Sequence, residues 1–264
     1  NLLQQSLEGS PFIDRKGIQN DYSQRCLPQI IGPKIAEFLS LSQNVFAELD
    51  AVTDNPLIFR GAEVSADVSS ERIIKFADKK WCVLSGGNFH GEVIATTAEE
   101  LSALTAKIAI VLERHLTFVN NPARNKGQFP IYLIHDPSQA GVRSGFMIPQ
   151  YTANDLTQRI CQLAGSFATN FNLTSANESE DVVSYGNSAN DKLLNQLSLL
   201  QDLTAIYLVQ IAQAYSLTRE KYLQENGSLE KTLVSERLFE QISQVISLPI
   251  KEETGFPQFY AKAK

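Results

Sequence analysis

The 264-residue chain carries 23 Lys and Arg against 29 Asp and Glu, a net charge of -6, with 43% hydrophobic and 9% aromatic residues. That composition supports a substantial core and argues against disorder. The acidic balance argues against a nucleic-acid or anionic-membrane surface, so neither is expected as a partner.

Three widely spaced cysteines (Cys26, Cys82, Cys161) form no CxxC pair. They point to a reducing, cytoplasmic setting and to no structural zinc site. His90, His115 and His135 share no metal-ligand spacing, so no metal is expected. Nor is there a signal-peptide pattern or an apolar run of about 18 residues that would span a bilayer. The opening NLLQQSLEGSPF reads like the middle of a longer protein.

The first distinctive stretch is Gln19–Pro33, QNDYSQRCLPQIIGP, bounded by Gly17 and Gly32-Pro33. It places the phenol of Tyr22 three residues before the guanidinium of Arg25. Pro33, placed at a first turn, predicts a helix start; Ile35, Phe38, Leu39, Val45, Phe46 and Leu49 continue at helical spacing. VTDNPLIF then forces a turn, because the residue before proline avoids the helical region. Gly61–Ser70 reads as a loop or short hairpin. LSGGNFHG (Leu84–Gly91) is a glycine-rich turn feeding a long helix over Glu92–Phe118, with Val93, Ile94, Leu101, Leu104, Ile108, Val111 and Leu112 on its apolar side.

NNPARNKGQFP breaks that helix. A third is predicted over Gly145–Phe167, and TSANESEDVVSYG interrupts the chain again. A fourth spans Ser188–Tyr222 with Leu193, Leu197, Leu200, Tyr207 and Ile211, and a shorter one Leu229–Ile246. The proline-punctuated tail from Leu248 reads as irregular. No repeat or linker appears. The fold class is mostly α: an elongated bundle of long helices with irregular loops. Helices more than twice the usual length of about 11–12 residues imply a core completed by partner subunits.

The loops carry a chemically coherent set. Arg25 suits a carboxylate through a bidentate pair, and Tyr22 suits proton transfer or orientation. Glu178, Glu180 and Asp181 form an acidic cluster suited to an ammonium or imidazole. Phe89, between Asn88 and His90, suits an aromatic ring. Each has a plainer reading: a surface turn with a snorkelling arginine, Asn88 as an N-cap, a solvated acidic loop, and MIPQY (Met147–Tyr151) as core.

Taken in order, DYSQRCLPQIIGP, ELDAVTDNPLIF, SGGNFHGE, RSGFMIPQYTAN and TSANESEDVVSYG resemble the successive signature stretches of the aromatic amino acid ammonia-lyases, most closely those acting on histidine. The resemblance runs from about Gly17 to Tyr215 and implies the ammonia-lyase/fumarase-like helical core. It implies elimination of ammonia from an aromatic amino acid, with L-histidine to urocanate as the first expectation. The rivals are a phenylalanine or tyrosine lyase, an aminomutase with the same electrophile, and a non-catalytic helical scaffold.

The family's electrophile, 4-methylidene-imidazol-5-one (MIO), is self-formed from Ala-Ser-Gly, which this sequence lacks. By resemblance, residues 1–264 are the C-terminal helical portion. The expected partners are the N-terminal half and further copies in a homotetramer, and the chain alone is expected to be inactive.

Residue by residue, the resemblance makes Tyr22 the tyrosine beside the electrophile and Arg25 the carboxylate-binding arginine. Gln19 becomes a pocket-lining polar group, and Phe89 the aromatic of the GNF turn, with Asn88 beside it. Glu180 becomes the glutamate of a QED-like stretch. Met147 and His90 match the histidine enzymes rather than the plant phenylalanine enzymes. Asn20 stands where the family usually has Asp. ESEDVV replaces QEDHV, which makes Glu178 the alternative to Glu180.

Overall fold

The computed structural model describes residues 2–13, 19–60, 73–76, 79–166, 173–229, 234–252 and 256–263. Its helices are α1 (Leu2–Leu7), α2 (Tyr22–Arg25), α3 (Leu27–Asp50), α4 (Glu92–Asn120), α5 (Met147–Leu163), α6 (Gly186–Asn226), α7 (Val234–Ser243) and α8 (Phe256–Ala263). The strands are β1 (Leu57–Arg60), β2 (Ile73–Phe76) and β3 (Lys79–Leu84). The chain is mostly α, as its periodicity predicts. No helix among the described residues is long and apolar enough to cross a membrane.

The chain divides into two compact units: Asn1–Ile35 with Ser102–Gly165 and Leu194–Lys264, and Ala36–Leu101 with Ser166–Leu193. In the first, small residues let helices approach closely. Ala106, Ala109 and Leu116 of α4 pack with Ala153, Leu156 and Ile160 of α5 and with Leu203 and Ile206 of α6. A second cluster joins Val119, Leu133, Phe146, Val209, Ala214, Ile246 and Ile250.

Buried glutamines on α6 fix the register of these helices. Gln196 Nε2 donates to the carbonyls of Ser102 (3.1 Å) and Ile160 (2.8 Å), and its Oε1 accepts from Ser102 Oγ at 2.6 Å. Gln213 Nε2 donates to the carbonyls of Leu133 and Ile250, both at 3.2 Å, while Ile250 N donates back at 2.7 Å. Such pairing removes the cost of burying polar groups.

In the second unit a small cluster forms from Ala98, Ala189 and Leu193. The strands make an antiparallel sheet of order β1-β3-β2, with Phe59 opposite the fully buried Cys82.

Several expectations need correction. Pro33 does not start a helix; it lies inside α3, which begins six residues earlier at Leu27. The missing N–H and the ring's clash with the preceding turn are accepted within a longer helix. The apolar stripe of α3 is also mostly uncovered: Ile35, Phe38, Leu39, Phe46 and Leu49 are exposed, and Leu41 is its buried residue. The tail is not wholly irregular, because α8 forms beyond Pro249. The sheet was not foreseen, since β1 and β3 pair across more than twenty residues. The helix expected to reach Phe167 ends at Leu163. Gly17, Gly61–Ser70 and Phe167 lie outside the described residues.

Candidate active site

In the first unit, DYSQRC folds into the single turn α2, with Gln24 N and Arg25 N both donating to Asp21 O at 3.0 Å. Residues three apart on a turn share a face, so the Arg25 guanidinium lies over the Tyr22 ring, 4.7 Å from its centroid. Tyr22 is 68% exposed. Among the described residues its hydroxyl makes no hydrogen bond.

The turn is tethered from both sides. Asp21 pairs with Arg124 at 2.9 Å. His115 Nε2 lies 2.9 Å from Ser23 O, and its Nδ1 lies 3.2 Å from the Tyr207 hydroxyl. Burial raises the Tyr207 phenol above its ordinary pKa. Gln19 and Tyr22 line a cleft of about 810 Å³ with Arg114, Thr117, Phe118 and Arg124.

Met147 also belongs to this unit, half-buried at the first position of α5. Gly145, two residues before, has φ +51°, and a Cβ there would collide with the Tyr132 carbonyl oxygen and lie 2.8 Å from Ile134 Cγ1. Only glycine fits. MIPQY is not plain core either: Pro149 is buried, but Ile148 and Tyr151 are exposed.

In the second unit the SGGNFHG turn follows β3. Ser85 Oγ and Gly86 N both donate to Asn55 Oδ1 at 3.2 Å, fastening it to the VTDNP turn. Asn88 is not an N-cap. Its Nδ2 donates to Val52 O at 3.4 Å, and the first turn of α4 closes on Gly91 O instead. Phe89 is 54% exposed. His90 Nε2 donates to Val182 O at 3.0 Å, joining this turn to the acidic loop.

In that loop Ser175 and Glu180 exchange backbone hydrogen bonds, and Ser175 Oγ donates to Glu180 Oε2 at 2.6 Å. Ala176, Asn177 and Glu178 all take left-handed φ values of 50–66°, a strained course for non-glycine residues. The Glu180 carboxylate is therefore held by its own loop.

The structure thus gathers Tyr22 and Arg25 on one turn, with Gln19 ahead of it lining the same cleft as Tyr22, and Asn88 and Phe89 beside the loop of Glu180. Sequence reasoning missed the tethers His115, Tyr207 and Arg124, which lie far away in sequence and carry no motif.

It also missed a second cleft in the first unit, of about 800 Å³, lined by Phe12, Phe129, His135, Tyr215, Thr218 and Glu220. Beside it Arg219 Nε donates to both carboxylate oxygens of the fully buried Glu236 (2.9 and 3.1 Å), and the Tyr215 hydroxyl donates to Glu236 Oε1 at 2.8 Å. Burial first, and then the Glu236 carboxylate, push the Tyr215 phenol up to about 12.

The model of the family described as aromatic amino acid lyase matches residues 1–242. Histidine ammonia-lyase of Treponema denticola is 33% identical over 230 residues, covering 86% of this chain and 41% of that protein. Histidine ammonia-lyase 2 of Fusobacterium nucleatum is 35% identical, covering 80% and 38%. The crystal structure of histidine ammonia-lyase from Trypanosoma cruzi superposes with a TM-score of 0.75 at 26% identity, covering 93% of this chain and 42% of that one. The chain therefore spans about two fifths of the length of the relatives it matches. A family match over nearly the whole chain, relatives above 30% identity and a shared helical fold agree: this chain belongs to the aromatic amino acid lyase family.

Proposed function

We propose that this chain is the C-terminal helical portion of a histidine ammonia-lyase, which eliminates ammonia from L-histidine to give urocanate. The observation that carries this is the exposed Tyr22–Arg25 pair, a phenol and a guanidinium on one tethered turn. Similarity to proteins named histidine ammonia-lyase supports the substrate. Arg25 binds the substrate carboxylate through a bidentate pair. Tyr22 holds or moves a proton at its hydroxyl, with Gln19 and Met147 as pocket-lining groups of the same unit; in the second unit Phe89 and Asn88 are the groups suited to an imidazole ring. Glu180 orients the imidazole with the oxygen not held by Ser175.

The β-hydrogen of an amino acid is weakly acidic and ammonia leaves poorly, so an electron sink is needed. The MIO group supplies that sink in this family. The sequence contains no Ala-Ser-Gly, so none of these residues forms the group. Their fit is to its surroundings: an exposed Tyr22 hydroxyl without a hydrogen bond among the described residues, and an exposed Phe89.

In this reading the Ala-Ser-Gly segment comes from the N-terminal portion of the enzyme, and the working form is a cytoplasmic homotetramer. The uncovered stripe of α3 supports a partner surface, because contiguous exposed apolar residues mark interfaces. Three free thiols are in keeping with the cytoplasm.

The test is urocanate and ammonia release from L-histidine, by this chain alone and by the chain assembled with a polypeptide carrying Ala-Ser-Gly. Turnover by the assembly and none by the chain alone is expected. Cinnamate or coumarate formation from phenylalanine or tyrosine, with histidine untouched, would reassign the substrate. A β-amino acid product would make the protein an aminomutase.

A further inference from the structure

Tyr22 and Arg25 sit on a four-residue helix, too short to hold its own conformation in water. It runs through Cys26 into α3 on its C-terminal side, and the contacts around Ser23 identify what holds it from outside. A carbonyl oxygen only accepts, so the 2.9 Å contact between His115 Nε2 and Ser23 O places a proton on Nε2. In the neutral ring Nδ1 is then an acceptor, and the Tyr207 hydroxyl 3.2 Å away is the donor that suits it. Tyr207 is fixed in turn by packing against the cluster of α4, α5 and α6. Its phenol, raised in pKa by burial, stays protonated and able to donate.

We infer that His115, oriented by Tyr207, is a positioning residue that sets the conformation of the α2 turn and with it the presentation of Tyr22 and Arg25. The chain of contacts runs from the core through Tyr207 and the imidazole to the Ser23–Gln24 peptide bond, which lies between Tyr22 and Arg25. Asp21–Arg124 is a second tether on the other side of Tyr22, but it is solvent-exposed (36% and 60%) and correspondingly weak. The imidazole is the stronger hold. That Tyr22 and Arg25 face a substrate rests on the function proposed above; the anchoring of the turn does not.

The experiment uses the full chain and needs no activity. Amide exchange by NMR is measured at Gln24, Arg25 and Cys26, whose N–H groups close the turn on Asp21 and Tyr22. His115→Leu removes the donor to Ser23 O and is expected to speed exchange there about tenfold, the effect of one net hydrogen bond. Amides of the buried stretch of α4 stay unchanged. His115→Gln, whose amide nitrogen reaches the place of Nε2, restores slow exchange.

Nitrogen-15 spectra should show His115 as the Nε2-protonated tautomer, and Tyr207→Phe should release it into a mixture. If His115→Leu does not fold, the Tyr207→Phe and His115→Gln readings decide. A His115 tautomer protonated on Nδ1, or exchange in His115→Leu within twofold of the unaltered chain, would overturn the inference. So would a His115→Gln variant that exchanges as fast as the leucine variant. Failure of the lyase reading would leave these amide and tautomer results standing.

Discussion

Two tyrosine–arginine arrangements in the same unit behave in opposite ways. Around Glu236, the Tyr215 hydroxyl and Arg219 guanidinium converge on a carboxylate with no solvent exposure, beneath the rings of Phe12 and Phe239. On α2, Tyr22 and Arg25 stack on each other in the open, 68% of the Tyr22 surface accessible, and close on no carboxylate among the described residues. The first spends its hydrogen-bonding capacity on itself; the second, among the described residues, does not. A buried, satisfied network of this kind holds the fold, whereas exposed groups on a positioned turn are available for binding.

The sharpest break in this contrast should come from Arg219→Ala. It leaves the Glu236 carboxylate buried without its cation, and denaturant unfolding should show a loss of about 3 kcal/mol. A loss below 1 kcal/mol would mean the pair is not the structural element described.

Tyr22→Phe should do the reverse. Turnover by the assembled enzyme should fall about 100-fold, while the unfolding midpoint moves by no more than about 0.5 kcal/mol, as for other exposed positions.

A smaller effect should appear at alkaline pH. The Tyr215 phenol is raised from its ordinary value of 10.0 to about 12 in the folded chain. Its contribution to stability is fully present below pH 10 and fades as pH rises to about 12, because the unfolded chain loses the proton first. Tyr215→Phe should flatten the fall of the unfolding midpoint between pH 10 and 12. Tyr207 and Tyr260, both raised by burial, leave part of the slope in place. An unchanged slope would contradict the burial and the Glu236 contact that raise this phenol. Least of all should come from Arg124→Ala, where an exposed pair with Asp21 is worth below about 1 kcal/mol in unfolding measurements.

The sequence exposes the two halves of this contrast unequally. α4 and α6 were legible to within four residues at each end, because long apolar periodicity is a local signal. The Tyr22–Arg25 spacing was legible for the same reason, since three residues make one turn. The sheet was not: Leu57 pairs with Leu84 across a span of chain that carries no local mark of it. Pro33 misled because a proline reads as a helix start, while the surrounding α3 tolerates it internally. Glu236, Arg219 and Tyr215 passed unnoticed because the network forms between the successive helices α6 and α7 and none of its residues belongs to a loop motif. The His115 tether to Ser23, 92 residues apart, was hidden in the same way.

The most direct test of the central claim is a kinetic comparison of the assembled enzyme with and without Arg25→Ala, with L-histidine as substrate and thermal unfolding recorded on the same samples. A carboxylate pair to a charged group is worth about 1.5–3 kcal/mol, so KM should rise at least about tenfold with the unfolding temperature unchanged. Kinetics indistinguishable from the unaltered enzyme would contradict the assignment of the α2 turn as the substrate-facing part of this chain.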